Sequence, residues 1–209
     1  MSIFRMIADE CMKTVFKYAQ DSDWKASSYE NGNCVVSYKK SHDWEGYVYR
    51  SEFIIDVSPK AASQLLSDKI KHVKWNSNAK EIHTIESLDK DMEIRHIVSP
   101  GYLMGLVAAR DFCNICGVTK IQQTGIYFAY YVSVDCRKCP PSKKYVRAHT
   151  YPSGTILYPI EGEPNKSRVV SITQFDAKVQ PRSLAETLYP SLMALYSSCM
   201  KRGAQKLLE

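Results

Sequence analysis

The sequence predicts an α+β fold in which one antiparallel sheet curls around a long C-terminal helix. Two features of the pattern lead to this prediction. Amphipathic helical patterns lie at both ends of the chain, and about nine strand-like runs, joined mostly by short turns, lie between them. Strands joined in this way form antiparallel meanders, and helices grouped at the ends of such a sheet are typical of α+β domains. A sheet wrapped around one amphipathic helix encloses an apolar space.

The first part of the chain is predicted to contain two helices and two strands. An apolar stripe at helical spacing predicts an amphipathic helix over residues 1–20. The stripe consists of Ile3, Ile7, Cys11, Val15 and Tyr18. Residues 33–40 and 46–57 are rich in β-branched and aromatic side chains, which favour strands. Ser58 is a suitable N-cap before a proline at the first helical position, so a short helix is expected over residues 60–70.

The rest of the chain is predicted to form about seven more strands and one long helix. Strand-like runs bounded by turn residues cover residues 80–88, 92–99, 110–120, 125–135, 143–152, 155–162 and 167–177. The last helix is expected over residues 182–208. Pro190 lies inside it, and we expect this proline to kink or break the helix because it has no N–H to donate.

The composition predicts one domain spanning residues 1–209. The chain is 44% hydrophobic, which is enough apolar mass for a substantial core. The net charge of +6 is spread without long runs of like charge, so we expect no nucleic-acid partner. Seven cysteines without a tight framework are typical of reduced thiols in the cytoplasm. We expect a cytoplasmic monomer that carries no cofactor.

Contact with membranes is expected to be peripheral and transient. Arg5 and Asp9 lie where a secretory signal peptide would need an apolar core. The longest uncharged stretches, residues 97–109 and 189–200, are too short to cross a bilayer. The sequence therefore predicts neither a signal peptide nor a membrane span.

Two C-x-x-C pairs raise an alternative. Cys113, Cys116, Cys136 and Cys139 have the C-x2-C-x19-C-x2-C spacing of a zinc ribbon. A zinc knuckle needs a tight turn that points both thiolates at one metal ion, but residues 110–120 have the pattern of a strand. Residues three apart on a strand point to opposite faces. We therefore expect no bound metal, and a zinc-ribbon interaction module stays open as the alternative.

Four stretches of the sequence carry a family resemblance. They are VKWNSNAKEIHTIESLDKDMEIRH, ARDFCNI, CPPSKKYVRAHTYPSGTILYPIEGEPNKSRVV and QPRSLAETLYPSL. Together they resemble the START domain, the lipid-transfer domain of steroidogenic acute regulatory protein and its relatives. The most specific positions include Trp75, Arg110, Asp111 and Arg147. The resemblance implies a helix-grip fold, in which a curved antiparallel sheet wraps the C-terminal helix and leaves a tunnel for one lipid.

The resemblance also implies a set of tunnel-lining residues. They are His72, Asn76, Ile97, Cys116, Tyr127, Thr150, Leu192, Tyr196 and Met200. In sterol-handling relatives an acidic residue and an arginine form a polar pair deep in the tunnel. The aligned positions here are Ile97 and Cys116, which carry no charge at pH 7 in a buried apolar site. The tunnel is therefore expected to be more apolar at this point than in those relatives.

The segment over residues 100–107, named here the mouth loop, is expected at the entrance of the tunnel. Its apolar side chains would face the ligand or a membrane, and they are Leu103, Met104, Leu106 and Val107. Exchange of the ligand would require this loop, or the last helix, to open. Arg110 and Asp111 are interpreted as a structural ion pair, and no nucleophile in the sequence has a convincing base.

The expected function is non-catalytic binding and intermembrane transfer of one hydrophobic lipid, most simply a sterol or a sterol-like molecule. The resemblance leaves open other ligands, namely a phospholipid, a fatty acid, a carotenoid or a bile-acid-like molecule. It also leaves open a sensor that passes its ligand state to a partner protein. An enzyme that uses the same cavity as a reaction chamber would need an acid and a base that the sequence does not offer.

Overall fold

The computed structural model describes residues 2–27 and 34–209. The α-helices within these ranges are α1 (Ile3–Gln20), α2 (Pro59–Ser67), α3 (Lys69–Trp75) and α4 (Arg182–Gln205), and a short 3-10 helix covers Leu103–Gly105. The strands are β1 (Lys25–Ala26), β2 (Val35–Lys40), β3 (Tyr47–Ile55), β4 (Glu81–Asp89), β5 (Met92–Val98), β6 (Arg110–Lys120), β7 (Tyr127–Ser133), β8 (Val146–Arg147), β9 (His149–Thr150), β10 (Ser153–Ile160), β11 (Glu163–Thr173) and β12 (Phe175–Asp176). Met1 and Asn33, where two predicted elements begin, lie outside the described residues.

Most of the strands form one large sheet. Its order across the described part of the chain is β1-β2-β3-β11-β10-β7-β6-β5-β4, and neighbouring strands in this order are antiparallel. β8 extends the sheet by pairing in parallel with the start of β6, and β9 pairs with β12. A large antiparallel sheet followed by a long C-terminal helix confirms the predicted α+β class.

Different helices cover the two faces of the sheet. Because side chains alternate along each strand, both faces carry apolar side chains that need a covering helix. On one face, Val15 of α1 packs in a buried apolar cluster with Ile115 and Phe128 of the sheet. On the other face, Leu65 of α2 and Met193 of α4 belong to a second buried cluster. The chain therefore places its N-terminal and C-terminal helices on opposite sides of one sheet.

The predicted helix over residues 60–70 is wrong in its extent, because two helices occupy this region. Ser58 caps α2 as predicted, with its hydroxyl accepting from the N–H three residues on. Asp68 then ends α2 and starts α3. Its Oδ1 accepts from the N–H of Ile70 at 3.0 Å and of Lys71 at 3.1 Å. Asp68 is thus a second N-cap inside the apolar pattern, and it divides the predicted helix into two.

Two predictions in the last third of the chain also need correction. The run over residues 143–152 forms two short strands because β8 and β9 pair with different partners, β6 and β12. Pro190 does not break α4, which continues through it as one helix. Tyr189 and Met193 on either side of the proline are buried, and this packing maintains the helix despite the missing N–H.

Candidate functional site

A cavity of about 230 Å³ lies between the sheet and α4. Alternate positions of β6 form part of its wall, namely Arg110, Phe112, Asn114, Cys116 and Val118. The intervening Cys113 and Ile115 belong to the cluster beneath α1. The period of two along this strand therefore decides which side chains reach the cavity.

The helices supply the opposite side of the cavity. α4 contributes Ala185, Leu188, Tyr189, Leu192, Met193 and Tyr196. α3 contributes His72, and Asn76 follows four residues later on the same side. Most of the lining side chains are apolar, so the space favours an apolar occupant over water.

Seven of the nine predicted lining residues face this cavity. They are His72, Asn76, Ile97, Cys116, Thr150, Leu192 and Tyr196. Tyr127 does not, because it lies at the start of β7 beyond the lining residue Ala129, with Lys120 Nζ 6.0 Å from its ring. Met200 is fully buried in the core beyond Tyr196, the last lining position of α4. Both side chains lie past the ends of the cavity, and their predicted positions are corrected accordingly.

An ion pair between a buried arginine and a half-buried glutamate lies beside the point where the sequence predicts an apolar wall. Arg95 lies two residues before Ile97 on β5 and lines the cavity. Its guanidinium donates to Glu93 Oε2 at 3.3 Å and to the Ser67 carbonyl at 3.1 Å. Ile97 and Cys116 are uncharged as expected, but the expectation of a more apolar tunnel near them is corrected by Arg95.

Electrostatic partners hold Glu93 in its charged form. Burial alone would raise the pKa of Glu93, but hydrogen bonds from Thr84 and Arg95 and the charge of Arg95 lower this pKa to about 2. Lys69 also donates to the same carboxylate, at 3.2 Å. Arg95 is therefore already paired, at the edge of the cavity, with the Glu93 carboxylate, which stays charged at neutral pH.

His72 is a neutral imidazole on the cavity wall at pH 7. Burial, reinforced by the charge of Arg95, lowers its pKa from 6.5 to about 4. The ring stacks on Trp75 with centroids 4.9 Å apart, and its Nε2 accepts from Asn76 Nδ2 at 2.9 Å. His72 and Asn76 therefore present a polar but uncharged surface to the cavity.

The mouth loop separates the cavity from solvent on one side. Tyr102 and Val107 line the cavity and are joined by two backbone hydrogen bonds of 2.8 and 3.1 Å. Between them Leu103, Met104 and Leu106 are exposed. Of the four side chains predicted at the mouth, Val107 thus lies at the base of the loop and the other three lie at its tip.

Asn78 connects the mouth loop to α4. Its Nδ2 donates to the Leu192 carbonyl at 3.1 Å, and its Oδ1 accepts from the Tyr102 hydroxyl at 3.4 Å. All three residues line the cavity. The sequence analysis missed this connection, although an asparagine shortly after a helix is a common bridging residue because it both donates and accepts.

The residues that carry the family resemblance have structural contacts. Trp75 is buried, and its Nε1 donates to the Leu65 carbonyl at 2.9 Å. Arg110 donates to the Ala177 carbonyl at 2.9 Å, which ties the start of β6 to the segment before α4. These contacts fix elements that border the cavity.

The interpretation of Arg110 and Asp111 as a mutual ion pair is wrong, because neighbours on a strand point to opposite faces. Asp111 instead pairs with Arg147, with contacts of 3.1 Å to Nε and 2.8 Å to Nη2. His96 Nε2 lies 2.9 Å from the same carboxylate. Burial would raise the pKa of Asp111, but hydrogen bonds from Arg147 and His96 lower it below its ordinary value.

The cysteines of the zinc-ribbon pattern do not converge. Cys116 lines the cavity, whereas Cys113 and Cys139 are buried in the cluster beneath α1. In the described part of the chain, no three His, Cys, Asp or Glu side chains are grouped so that they could hold a metal ion. The structure therefore gives no support to the zinc-ribbon alternative, since β6 points two of its four thiols in opposite directions.

A large antiparallel sheet that holds a C-terminal helix over a mostly apolar cavity defines a helix-grip protein. The family model of the START domain matches residues 7–209, so the chain belongs to the START domain family. Human StAR-related lipid transfer protein 5 has a similar solved structure, with a TM-score of 0.93, 21% identity and coverage of 99% of both chains. This similarity establishes the fold.

Several curated relatives match most of the chain. StAR-related lipid transfer protein 5 of Bos taurus is 26% identical over 204 residues, which are 96% of this chain and 95% of the relative. Human StAR-related lipid transfer protein 6 is 28% identical over 193 residues, 91% of this chain and 87% of the relative. Human mitochondrial steroidogenic acute regulatory protein is 27% identical over 155 residues, 74% of this chain and 53% of the relative.

In the described residues no helix is long and apolar enough to cross a bilayer.

Proposed function

We propose that this protein binds one lipid in the cavity and transfers it between membranes without chemical change. The observation that carries the proposal is the mostly apolar cavity between the sheet and α4. Such a wall shelters an apolar molecule from water, and each buried methylene contributes about 0.8 kcal/mol. The names of the relatives, two of which are lipid transfer proteins, support a lipid as the occupant.

A sterol or a sterol-like molecule is the proposed ligand. Most of the wall is apolar, polar side chains lie at separate places on it, and the charge of Arg95 is balanced by Glu93, so the cavity suits a largely apolar body with small polar groups. The similarity to mitochondrial steroidogenic acute regulatory protein is consistent with a ligand of this class.

Ligand exchange is proposed to take place at a membrane surface through the mouth loop. Its tip presents Leu103, Met104 and Leu106 to solvent, as expected of an apolar surface that meets a membrane. Leu103 and Met104 both have φ of 52°, a left-handed conformation that residues other than glycine rarely adopt. Strain of this kind concentrates at segments that bind or switch.

The test is native mass spectrometry of the purified chain before and after incubation with vesicles that contain sterols and phospholipids. We expect an adduct of one lipid mass on one chain, which disappears under denaturing conditions. Ala129→Leu should reduce this adduct because Ala129 lies on the cavity wall, whereas Ala26→Leu on the exposed edge strand β1 should not. A chain that takes up no lipid, or two variants that bind equally, would contradict the proposal.

A further inference from the structure

Five hydroxyl groups meet at one place on the cavity wall and form a group named here the hydroxyl cluster. Its members are Tyr131 of β7, Thr155 of β10, Ser171 and Thr173 of β11, and Tyr196 of α4, and all five line the cavity. Thr155 Oγ1 lies 3.1 Å from Ser171 Oγ and 3.3 Å from the Tyr196 hydroxyl. The Tyr131 hydroxyl lies 3.5 Å from Thr173 Oγ1. The cluster therefore joins three neighbouring strands to the helix across the cavity.

The strand register brings these side chains together. Thr155 is directly opposite Ser171 on β11, and Tyr131 is opposite Ser153, two residues before Thr155 on the same face of β10. Thr173 lies two residues after Ser171 and also on this face. Thr155, Ser171 and Thr173 are all buried, so the cluster places several hydroxyl groups together on a part of the wall that is shielded from solvent.

The cluster is uncharged and can both donate and accept hydrogen bonds. Burial raises the pKa of Tyr131 and of Tyr196, so both side chains keep their protons at neutral pH. A hydroxyl offers one donor and two acceptor lone pairs, and it turns to suit its partner. The five groups can therefore direct either a donor or an acceptor at an oxygen that enters the cavity.

Two arginines of the sheet line the cavity, Arg95 on β5 and Arg110 on β6, and their hydrogen bonds go to groups outside the hydroxyl cluster. Arg95 is on β5, and β6 and β7 separate β5 from Thr155 on β10. Three strand spacings correspond to about 14 Å across the sheet. Arg95 is engaged by Glu93 and the Ser67 carbonyl, and Arg110 donates to the Ala177 carbonyl. A carboxylate at the cluster would thus have no cation hydrogen-bonded to it, which is costly for a buried charge, whereas an alcohol would be matched.

We propose that the hydroxyl cluster is the subsite for an uncharged oxygen of the ligand, with an alcohol bound better than a ketone. This inference rests on the proposed function and adds the position and the chemistry of the polar contact. An alcohol both donates to and accepts from the cluster, a ketone only accepts, and a hydrocarbon leaves the cluster without a partner. The ligand is therefore oriented with its oxygen under Tyr196.

The test compares three probes of one shape, namely cholestanol, its 3-ketone and cholestane, which has no oxygen. Their affinities for the full chain are measured by titration from cyclodextrin with detection by native mass spectrometry. Tyr196→Phe removes one hydroxyl of the cluster without changing the ring. Tyr158→Phe is the matched control, because Tyr158 lies on β10 like Thr155 but packs against the cluster beneath α1, on the other face of the sheet.

The wild-type chain should bind cholestanol about tenfold more tightly than cholestane, with the ketone between them. Tyr196→Phe should weaken cholestanol about fivefold and leave cholestane unchanged, and Ser171→Ala should act in the same direction. Tyr158→Phe should keep the wild-type ratio. If the alcohol-to-hydrocarbon ratio is the same in wild type and both cluster variants, the subsite is refuted while lipid binding stands. If none of the probes binds to the wild-type chain, both this inference and the proposed sterol ligand are refuted.

Discussion

Acidification is expected to destabilise the protein through His72. Burial, together with the charge of Arg95, lowers the pKa of this histidine from 6.5 to about 4. Between these two values the unfolded chain holds a proton that the folded chain does not, so the free energy of unfolding falls as the pH falls. At about 1.4 kcal/mol per pKa unit, the difference corresponds to about 3 kcal/mol. This contribution is fully present above pH 6.5 and is lost as the pH falls through 4.

The assay is urea unfolding of wild type and His72→Gln at intervals from about pH 7 to about pH 4.5. Glutamine keeps an amide that can bond to Asn76 but does not titrate. Between about pH 7 and about pH 4.5 the wild type should lose about 2.5 kcal/mol more than the variant, most of the difference between the two pKa values. His83→Gln is the matched control, because it removes an exposed imidazole from β4.

Carboxylates with depressed pKa values, among them Glu93 and Asp111, do not obscure the comparison. Their stabilisation starts to fall only as the pH approaches their ordinary pKa values at the acid end of the window, and it falls in wild type and variant alike. The comparison uses the slope of stability against pH, which a simple loss of packing at position 72 would not change. Equal slopes in wild type and His72→Gln would refute the assignment of a neutral, desolvated imidazole.

Three other outcomes are expected. Asp111→Asn should lower the free energy of unfolding by about 3 kcal/mol in a urea titration, because Arg147 loses its carboxylate partner, and a loss below about 1 kcal/mol would count against this role. Gly203→Val should lower the thermal midpoint, at a cost of about 1 to 3 kcal/mol, because a Cβ there would lie 2.9 Å from the Cβ of Trp75; an unchanged midpoint would show that the helix shifts freely. Asn78→Ala should speed lipid transfer between vesicles without changing its equilibrium affinity, and an unchanged transfer rate would mean that this side chain does not hold the mouth loop closed.

Properties that depend on local periodicity could be predicted from the sequence. The strand predicted over residues 110–120 is β6, with the same bounds, and its period of two correctly separates Cys113 from Cys116. The break between α2 and α3 at Asp68 could in principle be predicted, since aspartate is a preferred N-cap. The apolar spacing on both sides of Asp68, however, favours one continuous helix. The hydrogen bonds of the Asp68 side chain decide that this region forms two helices rather than one.

The composition of the cavity wall was harder to predict. The alternation that places Ile97 at the wall also places Arg95 there, two residues earlier on the same strand. An arginine in a strand normally suggests the solvent face, and its partners, Glu93 two residues earlier and the Ser67 carbonyl, make burial tolerable. Periodicity places Glu93 beside Arg95, but the contact with Ser67, 28 residues away, cannot be read from it. The same holds for Tyr127, since a strand's period fixes the face but not where a cavity ends.

The mouth loop and α4 differ in what their displacement would expose, and this difference favours the loop as the gate. Lifting α4 would uncover Tyr189, Met193 and Met200 among other buried side chains. At about 1.5 to 3 kcal/mol for each side chain, the cost approaches the stability of a whole domain. Opening the loop would uncover mainly Val107 and release the contacts of Asn78, because the tip is already exposed. A membrane lowers this cost further by covering the apolar tip, so the cavity would open where a lipid can enter and stay closed in water.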